Sequence, residues 1–288
     1  MGLTMPLDLN TLIVRPISGS IGAEIDGVDL TDISDEQFAD IRTANDTYGV
    51  IFFREQEMSP DQHIAFAKRW GNIVINQFFT ALDGYPEIAQ VSKEPDQKMN
   101  IGNLWHTDHS YDQVPAFGSV LYAKEVPDVG GDTLFASVAA AYEGLSDGLK
   151  ATLEDMNACH SSRHIFGAEK SRVSQVEELG SRIGNPKLAT QNSVHPIVLT
   201  HPRTGQKGLY VNPQFTTHIE GWTTEESEPF LEMLYQHTMQ QEYQCRFRWA
   251  KGSVAIWDNL ATWHQAINDY HGFRRLMHRI TIEGVKLQ

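Results

Sequence analysis

The sequence predicts a mainly β fold, a sandwich or jelly roll with flanking helices. Short β-like runs recur along the chain with turns between them, and helix signals are few. No period of 20 to 50 residues and no Gly/Ser-rich or Pro-rich linker divides the 288 residues. Single β sandwiches and barrels reach roughly 200 to 250 residues, so one domain spanning 1–288 is expected.

Taken in order, the first helix is expected over Asp35 to Tyr48, followed by the β-like run GVIFFRE. Ser59-Pro60-Asp61-Gln62 reads as a capping box with proline at the first helical position, opening a helix whose apolar residues are Ile64, Phe66, Ala67 and Trp70. EIAQVSK, SVLYAKEV and DTLFASV follow as strands, then a helix over 147–156. From about 137 to 194 the strand signal lapses into helix and then the polar stretch GAEKSRVSQVEELGSRIGNPK. An insertion between barrel strands, either a lid or a surface excursion, is expected there. PIVLTHP and GLYVN resume the strand pattern. Thr223 or Thr224, with Glu225 and Glu226 in the first turn, opens a helix carrying Phe230, Leu231, Leu234 and Tyr235. CRFRWA, SVAIWD and LMHRITIEG complete the strands.

Composition narrows the function. With 41% hydrophobic residues and six tryptophans the chain can bury a large core and lacks the signature of disorder. A formal charge of −14 argues against nucleic acid, whose phosphates demand a basic stripe, and points to a small-molecule substrate. Two cysteines, Cys159 and Cys245, are too few for a disulfide framework and fit a reducing compartment. The N-terminus has neither a basic leader nor an apolar span, and Pro6 interrupts a myristoylation pattern, so a cytoplasmic location with no membrane partner is expected. Against the acidic background, Arg274, Arg275, His278 and Arg279 form a local basic reversal.

His106-Thr107-Asp108, within NLWHTDHSY, carries the strongest chemical signal. On a strand, residues two apart share a face with Cα atoms ~6.5 to 7 Å apart, so an imidazole and a carboxylate can converge on one ion. That pair suits iron(II), and a second histidine would complete a facial triad with three positions open for a chelating co-substrate and dioxygen. His264, just beyond SVAIWD and the turn-prone Asp258-Asn259, answers that description. If LMHRITIEG extends back to Arg275, the offset of four puts Arg275 and Arg279 on one face, ~13 Å apart. Two inward arginines imply two anions or internal carboxylates, whereas the bland alternative is a solvated basic strand edge.

The motifs IGAEIDGVDL, WHTDHSY, VPDVGGDTLFASVAAAYEGLS, HPRTGQKGLYVN and RFRWAKGSVAIWDNLATWHQAINDYHGFRRLMHRITIEG run through nearly the whole chain. In their order and spacing the chain resembles the taurine dioxygenase family of iron(II)/2-oxoglutarate-dependent dioxygenases, which includes the dioxygenases that cleave aryloxyalkanoate herbicides. The resemblance implies a double-stranded β-helix, a homo-oligomer (dimer or tetramer), and a reaction in which dioxygen oxidises a small anionic substrate while 2-oxoglutarate becomes succinate and carbon dioxide. It further implies that His106, Asp108 and His264 bind iron, that Thr133 and Arg275 hold the distal carboxylate of 2-oxoglutarate, and that Arg279 receives the acidic group of the prime substrate. Phe215 and His109 match pocket positions.

The stretch GNIVINQFFTALDG lacks the pocket histidine of the taurine enzyme and offers Phe78 and Phe79 instead. An apolar or aromatic acid is therefore expected ahead of taurine or another alkylsulfonate. A zinc hydrolase with the same three ligands leaves Thr133 and Arg275 without a role, and a non-enzymatic jelly-roll binding protein does not need three intact ligands.

Overall fold

In the computed structural model, which describes residues 7–180 and 182–287, strands run in the order Ile13–Pro16, Ala23–Asp26, Val50–Phe53, Val254–Asp258, Gly118–Glu125, Arg275–Ile282, Tyr85–Lys93 and Ala81–Leu82 across the main sheet. Ile73–Val74 adds a further pairing to Arg275–Ile282, and among the described residues only Ala23–Asp26 with Val50–Phe53 is parallel. A smaller antiparallel sheet sets Thr133–Ser137 between Gln244–Phe247 and Thr262–Ala266. Such a pair of facing sheets is the jelly-roll core. The stretch Met1 to Pro6, weighed above for acylation, lies outside the described residues.

The near-continuous apolar runs VIFF and VAIWD follow from burial on both faces. Successive side chains of a strand point to opposite faces. Val50, Phe52, Ala255 and Trp257 meet Phe135 and Phe247 of the smaller sheet, while Ile51, Phe53, Val254 and Ile256 pack outward against two helices. Those helices, Asp35–Tyr48 and Pro60–Trp70, both begin with the reciprocal serine–glutamine capping box that satisfies orphan N–H groups. A third apolar cluster behind the smaller sheet holds Trp105 and Trp263 against helix Thr224–Thr238 and its Thr223 capping box. No helix among the described residues is long and apolar enough to cross a membrane.

Strands at Asn157–Ser161, Asn192–Pro196, Thr216–Ile219, Ile13–Pro16 and Ala23–Asp26 were not expected from the sequence. The first three form their own sheet, and their buried positions include His160, Ser193 and His195, so polar residues occupy the inward register where an apolar alternation was sought. Asn157–Ser161 falls inside 137–194, and Asn192–Pro196 begins there and runs past its end. Among the described residues, the stretch without strands is the shorter one between Ser161 and Asn192, built of one-turn helices at Arg163–Phe166, Arg172–Gln175 and Glu177–Gly180.

Candidate metal centre

The expectation that His106 and Asp108 share a strand is corrected. His106 forms an isolated antiparallel bridge with His264, donating its N–H to the His264 carbonyl at 3.1 Å and accepting in return at 2.8 Å. The chain then turns. His109 takes a left-handed φ of 60°, and Asp112 N–H closes the turn on the His109 carbonyl. The turn, rather than the pleat of a strand, brings the carboxylate to the two imidazoles. Between them Thr107 donates its hydroxyl to the carbonyl of Asn259 at 2.5 Å. Asn259 is itself fixed by Trp257 Nε1 and by the Ala116 carbonyl, while the neighbouring Asp258 accepts from His201 and Arg203.

Asp108 Oδ1 lies 3.7 Å from His106 Nε2, and Oδ2 lies 3.8 Å from His264 Nε2. All three groups are buried, and their ligand atoms fall within 4.8 Å of one another. Donors held at ~2.1 Å from one ion stand about 3.0 to 3.5 Å apart, so these spacings fit a common metal with little adjustment. His106 Nδ1 donates to the Leu104 carbonyl at 2.7 Å, which leaves the Nε2 lone pair facing Asp108. Burial, joined by the neighbouring His106, pushes His264 down to about 3, and burial also lowers His106, so both imidazoles are neutral as ligands must be. Burial pushes the Asp108 carboxyl up, but the Arg279 guanidinium and the adjacent imidazoles together hold it well below the usual carboxylate range.

Arg275, Met277 and Arg279 all line one cavity with the three histidine and aspartate groups, so the offset of four does place both guanidiniums on one inward face. The solvated-edge alternative fails because Arg275–Ile282 is paired on both sides and the two arginines are only 6% and 8% exposed. The basic reversal resolves with them: Arg274 points away and pairs with Glu94 and Glu125. Arg275 forms no ion pair among the described residues, and its Nε is buried without a hydrogen-bond partner. The Trp249 ring lies 5.7 Å from the guanidinium carbon. Trp249 Nε1 in turn donates to Thr133 Oγ1 at 2.9 Å, so the threonine hydroxyl proton stays available to an acceptor in the cavity. Arg279 Nη1 lies 3.3 Å from Asp108 Oδ2, with its guanidinium over Phe79, and its Nε is unpartnered.

The cavity has a volume of about 100 Å³. Phe215 lines it, edge-on to His106, as does His109, whose Nδ1 donates to Asp112 at 2.8 Å. Phe78 does not line it: the ring stacks on Phe166 one layer back, and Phe79 takes the exposed place. Sequence reasoning passed over Tyr111, Arg172 and an apolar roof of Ile165, Phe166, Val173, Leu179 and Ile183. Apolar residues three or four apart from 173 to 183 signal that roof, but one-turn helices split the periodicity.

Residues 13–281 match the family described as taurine catabolism dioxygenase TauD, TfdA family. The chain is 35% identical over 280 residues to an alkylsulfatase of Acinetobacter baylyi, covering 95% of this chain and 85% of that one. It is 33% identical over 266 residues to a (S)-phenoxypropionate/alpha-ketoglutarate-dioxygenase of Delftia acidovorans, covering 89% of each. Its fold superposes on AAD-2 in complex with Mn(II) and N-oxalylglycine with a TM-score of 0.79 and 26% identity, over 96% of this chain and 99% of that one. From a match that spans both sheets and every residue of the metal centre, the chain belongs to the TauD/TfdA family of dioxygenases.

Proposed function

We propose that this iron(II)/2-oxoglutarate-dependent dioxygenase hydroxylates a small organic anion with an apolar alkyl or aryl body, such as a sulfate ester or an aryloxyalkanoate. The observation that carries the reading is Arg275, a buried guanidinium without an anionic partner among the described residues, in the same cavity as a His-Asp-His donor set of two neutral imidazoles and one carboxylate. A buried cation is costly until an anion arrives. In this reading His106, Asp108 and His264 hold iron(II), and Arg275 with the Thr133 hydroxyl fixes the distal carboxylate of 2-oxoglutarate by charge-assisted hydrogen bonds. When bound, iron(II), 2-oxoglutarate and dioxygen supply oxidative decarboxylation to succinate and carbon dioxide, together with the oxidising power to place oxygen on a substrate carbon.

The protein's own work is to orient and to exclude water. Arg279 spends one nitrogen on Asp108 and keeps its remaining donors for the substrate anion. Phe215, Phe79 and the roof offer apolar contact to the substrate body, each Å² removed from water contributing ~25 cal/mol. His109, with Nδ1 committed to Asp112, presents its other ring edge to a polar substrate atom. The names of the alkylsulfatase and phenoxypropionate relatives support both candidate substrate classes. Hydroxylation at a carbon bearing an ester or ether oxygen gives an unstable adduct that collapses, releasing sulfate or a phenol. A cytoplasmic, homo-oligomeric enzyme completes the proposal, supported by two free cysteines and the family assignment.

Succinate formation dependent on iron(II) and 2-oxoglutarate, measured across octyl sulfate, 2-phenoxypropionate, taurine and the matching neutral alcohol or methyl ester, tests the reading. Octyl sulfate or phenoxypropionate is expected to lead. Equal turnover of acid and ester would sink the anion requirement, and taurine outperforming both would sink the apolar body.

A further inference from the structure

The roof brings a third arginine to the cavity. Arg172 opens the one-turn helix Arg172–Gln175, whose capping residue Ser171 is fully buried and donates to the Gly167 carbonyl. The Arg172 side chain lines the cavity together with Arg275 and Arg279. One of its terminal nitrogens donates to Asn103 Oδ1 at 2.6 Å, and the Asn103 carbonyl is in turn held by Gln265 next to His264. The guanidinium is thus oriented by a neutral amide, and it forms no ion pair among the described residues. Arg279 reaches the cavity from the strand Arg275–Ile282 and Arg172 from the roof, so the two cations line it from different walls.

Charge shows what this arrangement awaits. Among the described residues lining the cavity, three guanidiniums stand against the single carboxylate of Asp108, a surplus of two positive charges. Iron(II) and the 2-oxoglutarate dianion cancel in formal charge and leave that surplus for the prime substrate. Arg279 already shares its charge with Asp108 at 3.3 Å, whereas Arg172 does not.

We infer that Arg172 is a specificity-determining residue that binds the anionic group of the prime substrate jointly with Arg279, so that the anion is held between the central sheet and the roof. The inference rests on the reading that the prime substrate is an anion. A sulfate or carboxylate group suits such a site, since it offers more than one oxygen edge and planar guanidiniums engage them as forks. The Asn103 bond keeps Arg172 ordered before substrate arrives, which reduces the side-chain entropy lost on binding.

The test titrates the full-length protein, loaded with Mn(II) and 2-oxoglutarate, with octyl sulfate and with 2-phenoxypropionate by calorimetry. Wild type, Arg172→Gln, Arg172→Lys and Arg279→Gln are compared. Loss of one charge-assisted contact is expected to weaken anion binding by Arg172→Gln about tenfold to a hundredfold. Arg172→Lys should recover part of the loss, which shows that the roof has folded, and 2-oxoglutarate affinity should stay within about twofold. Wild-type anion affinity in Arg172→Gln, with affinity lost only in Arg279→Gln, overturns this inference and leaves the proposed function standing. An Arg172→Gln defect in 2-oxoglutarate affinity also overturns it. No anion binding by the wild type, or no change in either glutamine variant, removes both.

Discussion

Replacing Arg275 with methionine is expected to move stability and co-substrate affinity in opposite directions. The native guanidinium is 6% exposed, has an unpartnered Nε, lies over the Trp249 ring and is favoured by the charge of Asp132 without forming an ion pair among the described residues. Burial accordingly lowers its pKa, the mark of a charge held at a cost. An apolar chain of similar length removes that cost, and substitutions of buried charge by packed apolar groups commonly stabilise by ~1 to 4 kcal/mol. Because the Trp249 contact offsets part of the penalty, a gain of about 1 kcal/mol is the working figure. Toward 2-oxoglutarate the sign reverses. Two charge-assisted bonds at ~1.5 kcal/mol each make ~3 kcal/mol, or roughly 150-fold in affinity. Thermal melts of the Mn(II)-loaded protein read both effects. Without 2-oxoglutarate, Arg275→Met should melt at or above the wild type. With 2-oxoglutarate, the wild type should gain stability as ligand concentration rises through its dissociation constant, while the variant gains almost none. A variant that melts well below wild type without ligand, yet shifts normally with it, would refute the reasoning on both counts.

His106→Ala, Asp108→Ala and His264→Ala should each abolish iron-dependent succinate formation, and near-normal turnover by any one removes that residue from the ligand set. Thr107→Val breaks the hydroxyl bond to the Asn259 carbonyl and leaves that acceptor buried and unsatisfied. It should cost about 1 to 3 kcal/mol in chemical denaturation and weaken Mn(II) binding, since Thr107 lies between two ligands; unchanged values would show the bond to be incidental. His63 and His160, both lowered to about 3 chiefly by burial, are neutral when folded and titrate near 6.5 when unfolded. Because the unfolded chain binds the extra protons, stability is fully present above about pH 6.5 and declines toward pH 3, by up to ~1.4 kcal/mol per pH unit for each histidine. A melting temperature that stays flat from pH 7 to 4.5 would contradict this, and His160→Asn should reduce the slope.

Elements whose pattern agrees with their surroundings were legible in the sequence. The capping boxes at Ser59 and Thr223 and the run VAIWD state their structure locally, because hydrogen bonding and burial there depend on neighbours in the chain. The spacing of Arg275 and Arg279 was legible for the same reason, since a strand's period of two holds wherever the strand lies. His264 could be placed only as a partner at long range. The turn that carries Asp108 was misread as strand because its geometry comes from the His106 bridge and the left-handed His109, and no local signal in WHTDHSY announces either. Arg172 and the roof were hidden for a different reason: four-residue helices are too short to display a period, and they are held by side-chain bonds such as Arg182 to the Ser92 and Met99 carbonyls.

Arg275–Ile282 is paired along both edges, so Arg275 and Arg279 cannot drift relative to each other without breaking two ladders of backbone bonds. In the proposed reading their separation, ~13 Å along the strand, acts as a fixed ruler between the tail of the co-substrate and the acid group of the substrate, and the point of oxidation is gauged against it. A longer or bulkier substrate cannot be accommodated by stretching that ruler. Variation in substrate size must instead be absorbed by the one-turn helices opposite, where a residue can be exchanged or added without disturbing a ladder. Laboratory selection for new substrates in this scaffold should therefore collect its mutations between Ser161 and Asn192 and leave the strand of arginines untouched.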